Sequence, residues 1–180
     1  MSIITDVRTI RLGQYPNSIW VEIQTDENLT GLGEAWRGTA AIEAIIHNDI
    51  CPWLIGQDSR NIEHISRTLL TPYVGFHSAS AEVRAASAID IALWDLAGKR
   101  HGIPVYEALG GAARSTIQVY NTCSGYSFNA GSSAYNSGSS RRVITEKDKM
   151  QGPYDDQIAF HHDAGRLAES LLDEGYKIMK

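Results

Sequence analysis

Apolar and polar residues alternate in three short stretches near the start of the chain. Residues 3–12, 20–25 and 29–36 each carry the β-branched and aromatic content of a half-buried strand. "GQYPNS" (residues 13–18) and the turn at residues 26–28 separate them, both rich in turn-forming residues. The pattern predicts a three-stranded antiparallel meander with one face to bury.

From residue 40 the period lengthens to that of a helix. Residues 40–50 form an apolar-periodic segment that stops before Pro52, and residues 59–70 form a second that stops before Pro72. The longest covers residues 80–101, where Ala85, Ile89, Ala92, Leu93 and Leu96 share one stripe. So much alanine predicts close approach of neighbouring helices, because small side chains set short interaxial distances. Gly102 and Pro104 supply stop signals, and "PVYEALGG" adds one more helical turn. "STIQVYNTC" (residues 115–123) then reads as a buried strand.

Composition changes the picture after Cys123. Of the 17 residues from Ser124 to Ser140, seven are Ser, three Gly and two Asn. Such a stretch buries too little to offset its ordering entropy, so residues 124–153 are expected to form a flexible Ser/Gly-rich loop, either an inert linker or a lid. Asp155 and Asp156 are expected to open a helix whose stripe is Phe160, Ala164, Leu167, Ala168 and Leu171. Gly175 suits its left-handed cap, and residues 176–180 begin a strand. Strand, helix and strand make a βαβ unit, which implies a parallel sheet.

The net charge of −5 argues against a nucleic-acid surface, where a basic stripe would be expected. No apolar run approaches a membrane span, and the charged N-terminus is not a signal peptide. The two cysteines, Cys51 and Cys123, have no paired spacing, which suits free thiols in a cytoplasmic protein. Asp95 and Lys99 stand at i,i+4 and predict a helix salt bridge or polar contact rather than a catalytic carboxylate pair with Asp90. Glu34 reads as structural. None of the six histidines has metal-ligand spacing, and His161 and His162 project to different sides of a helix.

Three stretches carry a family resemblance: "LTGLGEAW" (Leu29 to Trp36), "ASAIDIALWDLAGKRHGIPVYEALGG" (Ala86 to Gly111) and "EGYKIMK" (Glu174 to Lys180). Together they resemble the mandelate racemase/muconate lactonizing branch of the enolase superfamily, the middle block most specifically. Asn28 stands where a glycine is frequent in the turn, and Asn tolerates positive φ.

The resemblance implies an α+β capping domain over residues 1–113, followed over residues 114–180 by the start of a (β/α) barrel: its first βα unit and second strand. It also implies Mg²⁺, an acid-sugar or other hydroxy-carboxylate substrate, and a homo-oligomer at full length. The reaction class begins with removal of an α-proton. That proton is so weakly acidic that the developing dianion must meet fixed positive charge in a dry site. Lys180 falls at the first lysine of the Lys-x-Lys pair that the family carries on its second barrel strand. It is therefore the candidate catalytic residue, while Lys177 points to the other face. The family's metal ligands belong to later strands and are not expected within these residues.

The two specificity loops of such a cap would be "GQYPNS", with Tyr15 and Asn17, and "AWRGT", with Trp36 and Arg37. These four are the candidate substrate-binding residues, and Arg37 offers a planar fork to a carboxylate or hydroxyls. Cys123, just after the first barrel strand, reads as an idle thiol or a pocket-lining residue. Acid-sugar dehydration is the leading reaction the resemblance implies, with racemisation or epimerisation and cycloisomerisation as the alternatives within the class. A noncatalytic fragment or interaction module is the alternative outside it, with the 180 residues inactive by themselves.

Overall fold

The computed structural model describes residues 1–13, 15, 17–71, 80–123 and 163–180. The chain divides into two compact units, Met1–Ala112 and Ala113–Lys180. In the first, β1 (Ile4–Ile10), β2 (Ser18–Thr25) and β3 (Thr30–Trp36) form an antiparallel sheet in the order β1-β2-β3. This is the predicted meander. In β2 every second residue is buried (Ile19, Val21, Ile23 and Thr25), as the alternation requires of a sheet with one covered face. Asn28 takes φ 58° in the β2–β3 turn, the left-handed conformation anticipated for it.

Helices cover the sheet. α1 (Thr39–Ile45) runs into a π-helical turn (Ile46–Ile50) and then α2 (Cys51–Leu54). The helical path thus continues past the stop expected before Pro52. Pro52 sits in the first turn of α2, where its missing N–H is not required. α3 (Ile62–Leu70) begins three residues later than the pattern suggested. Ser59 is instead buried in the approach to it, its N–H donating to the Ser2 carbonyl at 2.8 Å.

α4 (Ala81–His101) lies across the covered face of the sheet. All five residues of its predicted stripe have zero exposure. Helices α1 and α3 pack on α4, and its alanines also face a strand at close range. A Cβ on Gly33 would stand 1.9 Å from the Ala88 carbonyl oxygen, and one on Gly31 would stand 2.1 Å from that of Ala92. Glycine on β3 and alanine on α4 together let the two backbones meet. Gly102 caps α4 in the left-handed region, and α5 (Val105–Ala108) follows Pro104.

α4 also covers the outer edge of β3. Asp95 accepts the Leu32 N–H at 2.7 Å, and the Lys99 ammonium donates to the Thr30 carbonyl at 2.7 Å. The two side chains form the expected ion pair, also at 2.7 Å. They occupy the positions a fourth strand would fill, which guards an otherwise open edge. Asp95→Ala should lower unfolding free energy by about 1 kcal/mol, measured by urea denaturation. Asp90 accepts from the Ser66 hydroxyl, a packing role. Glu34 lies on the exposed face of β3.

A polar node ties the N-terminal residues to this unit. Arg100 donates to the hydroxyls of Ser2 (2.6 Å) and Ser59 (2.8 Å), both fully buried, and to Glu27 at 3.2 Å. Asp58 accepts from the Arg60 guanidinium at 2.6 Å and from the Ser2 N–H at 3.2 Å. The Arg60 hydrogen bond holds the Asp58 carboxyl well below its ordinary 3.8, and bonds from Ser2 and Arg100 lower Glu27. A depressed pKa contributes stability that is present above the unfolded value and lost as pH falls toward the folded one. Stability should therefore decline below about pH 4, and Asp58→Asn should flatten that acid limb in urea midpoints taken from pH 5 to 3.

The second unit contains α6 (Ala164–Asp173). Asp163 caps it, accepting the Arg166 N–H at 3.0 Å, and Leu167 and Leu171 are its buried residues. Ala164 is exposed and Ala168 half-buried, so the stripe is narrower than predicted. Gly175, at φ 95°, closes the helix as anticipated. Its N–H meets the Leu172 carbonyl at 3.0 Å while the Tyr176 N–H meets that of Leu171 at 2.9 Å. The two expected strands are reduced to one parallel bridge, Asn121 to Met179. Residues 115–120 are exposed rather than buried, Ile117 at 77% and Val119 at 62%, because a single bridge covers little of either segment. The Ser/Gly-rich loop, Asp155, Asp156, Phe160, His161 and His162 lie outside the described residues.

Candidate functional site

The four candidate binding residues come together at one end of the sheet. Ser18 on β2 pairs with Trp36 on β3, so the loop before β2 and the loop after β3 emerge side by side. The Arg37 N–H donates to the Asn17 carbonyl at 2.7 Å and locks the two loops to each other. Tyr15 packs edge-on against Trp20 of β2, with ring centroids 6.1 Å apart. Arg37 lays its guanidinium over the Trp36 ring, 4.7 Å from the centroid. At an exposed position such a stack contributes about 0.5–1 kcal/mol, enough to bias a long side chain toward one placement.

Arg37 and Gly38 both have positive φ, 65° and 72°. This is ordinary for glycine and costly for arginine. The conformation turns the chain from β3 into α1 and is held from two sides. One hold is the Asn17 carbonyl; the other is Arg84 of α4, whose Nη1 donates to the Arg37 carbonyl at 3.3 Å. The periodicity of α4 marked only its apolar stripe, so Arg84, on an exposed face, gave no signal in the sequence.

Lys180 belongs to the second unit. Its N–H donates to the Asn121 carbonyl at 2.9 Å, and the Asn121 N–H donates to the Ile178 carbonyl at 3.1 Å. The Asn121 carbonyl also faces the Cys123 thiol at 3.8 Å, and the Asn121 side chain accepts the Cys123 N–H at 2.7 Å. Lys180 and Cys123 are thus neighbours through one residue, on the exposed end of the parallel bridge. Asn121, which joins them, was not singled out by the sequence pattern. Cys51 is buried beside His47, and burial pushes its thiol pKa up, the state of an inert packing cysteine. Among the described residues no three His, Cys, Asp or Glu side chains come together to hold a metal ion, and no helix is long and apolar enough to cross a membrane.

Residues 9–110 match the N-terminal domain of mandelate racemase / muconate lactonizing enzyme. The chain belongs to that family. A D-galactonate dehydratase of Ralstonia nicotianae is 39% identical over 125 residues, covering 68% of this chain and 31% of that enzyme. The chain therefore spans under a third of this relative's length. Among solved structures, an enolase protein from the Sargasso Sea environmental shotgun sequence is 49% identical with a TM-score of 0.75. That match covers 99% of this chain and 39% of the other. An enolase from Pantoea ananatis, solved with bound D-gluconate and Mg, is 37% identical with a TM-score of 0.60, over 68% of this chain and 30% of its own. The sheet with its covering helices is accordingly the family's N-terminal capping architecture.

Proposed function

We propose that these residues are the capping domain and barrel opening of an acid-sugar dehydratase that abstracts the α-proton of a hydroxy-carboxylate. The observation that carries this reading is the joining of the two loops by Arg37 and Asn17, which gathers a cation, an amide and two aromatic rings at one end of the sheet. That mixture suits a polyol carboxylate: the guanidinium meets an anionic or hydroxylated end, and the ring faces cover C–H surface. Similarity to the Ralstonia D-galactonate dehydratase and to the gluconate-bound Pantoea structure supports the same substrate class. Lys180 is proposed as the base. It takes the proton from Cα and the electron pair moves into the carboxylate as an enediolate; the β-hydroxyl then leaves as water with a proton that balances the one taken from Cα, and the resulting enol tautomerises to a 2-keto-3-deoxy acid.

Mg²⁺ is the proposed cofactor by analogy with the Pantoea structure. The described residues do not form its ligand set, so no step is assigned to it. The test is keto-acid formation from a panel of aldonates and aldarates, using the protein at the full length of its relatives with and without EDTA. A keto acid formed only with Mg²⁺ supports dehydration. α-Proton exchange without a keto acid would replace dehydration by racemisation, and the absence of both exchange and keto acid would overturn the proposal.

A further inference from the structure

Bonds from both sides of the parallel bridge converge on Asn121. Its N–H donates to the Ile178 carbonyl at 3.1 Å, and its carbonyl accepts the Lys180 N–H at 2.9 Å. The same carbonyl accepts the Cys123 thiol at 3.8 Å, while the side-chain Oδ1 accepts the Cys123 N–H at 2.7 Å. The bridge pairs Asn121 with Met179, and bridged residues of a parallel pair share a face. Lys180, one residue on, therefore projects from the opposite face. Asn121 and Met179 are accordingly half-buried where Lys180 is exposed.

Cys123 takes φ 55°, the left-handed region that a residue with a Cβ enters at a cost. The Asn121 side chain offsets that cost, because an Asn oxygen that accepts the N–H two residues on closes a local turn. The ring so closed includes the peptide unit between Asn121 and Thr122. That unit carries the carbonyl to which Lys180 is bound, so the side chain fixes the direction of the carbonyl. We infer that Asn121 is a positioning residue for Lys180, holding the backbone of the proposed base through a carbonyl that its own side chain orients. This rests on the reading of Lys180 as the base and extends it to what keeps that base in place. Asn121 touches no reacting atom from its face, and its effect on proton abstraction passes through Lys180. Small displacements of a catalytic group are costly, up to about 10²-fold for 1 Å.

The test uses the protein at the full length of its relatives, with Mg²⁺ and the panel of aldonates and aldarates. It follows α-proton exchange in D₂O together with protection of the Lys180 amide against solvent exchange. Asn121→Ala should lower kcat for α-proton exchange about tenfold with KM changed less than about twofold. Protection of the Lys180 amide should fall about tenfold, the size of one hydrogen bond. Asn121→Asp keeps an oxygen for the Cys123 N–H and should recover most of both. Adding Cys123→Gly to Asn121→Ala should also recover much of the loss, since glycine adopts the left-handed turn without a side-chain hold. Lost packing would not be repaired by a glycine. Wild-type kcat and protection in Asn121→Ala, or a loss that neither second variant repairs, would overturn the inference. Exchange at the wild-type rate in Lys180→Ala would overturn the base reading itself, and the Lys180 amide would then still decide whether Asn121 holds that residue.

Discussion

Gly33→Ala is expected to cost about 3 kcal/mol or more, a large share of the stability of a small domain. The added methyl would stand 1.9 Å from the Ala88 carbonyl oxygen and 2.9 Å from its carbon. Both are backbone atoms of a 21-residue helix, so no side-chain rotation relieves the clash. α4 would have to lift from β3, partly uncovering Ala88, Ile89 and Ala92, which are wholly buried. It would also strain the Asp95 and Lys99 bonds to the edge of β3. Glu34→Ala, one residue on and facing outward, is the control and should change stability by no more than about 0.5 kcal/mol. Urea midpoints of the two variants decide the matter. A Gly33→Ala midpoint near wild type would mean that the helix does not pack on the strand this closely.

How far the fold was legible depends on where its physical cause lies along the chain. The meander was legible because burial on one face writes a period of two, visible at Ile19, Val21 and Ile23. α4 was legible because its buried stripe writes a helical period. One partner of that stripe, the strand β3, went unread, since alanine signals close approach without saying to what. The missing half of the signal is "GLG": two glycines two residues apart on a strand share one face, here the face against Ala88 and Ala92. The π turn left no trace, because Ile42, Ile46 and Ile50 keep a spacing of four that an α-helix would also show. Burial of Ser59 depends on Arg100 and Ser2, distant in sequence, and no local pattern encodes it.

The candidate binding residues were legible only through the family resemblance, which marked both loops. Their junction depends on the β2–β3 register and on the Arg37-to-Asn17 bond, which the residues alone do not spell out. Arg84 stayed hidden because an exposed arginine on a helix is usually just a solvated charge. It stands out only through its bond to the Arg37 backbone carbonyl, 47 residues away in sequence.

The second large effect concerns Lys180. If this lysine is the base, Lys180→Ala removes the group that receives the α-proton, and positioned bases of this kind contribute about 10²–10⁴-fold. Its backbone is fixed by the bond to Asn121, while its side chain is exposed and bound to no carboxylate among the described residues. A merely structural lysine at the same place would leave proton abstraction untouched. Lys177→Ala is the matched control, because strand alternation sends Lys177 to the opposite face.

The most direct measurement is exchange of the substrate α-proton for deuterium in D₂O with Mg²⁺, followed by NMR on the protein at the full length of its relatives. The proposal predicts exchange with an acid sugar, retained in Lys177→Ala and lost by at least about 10²-fold in Lys180→Ala. Exchange that persists in Lys180→Ala at the wild-type rate would contradict it.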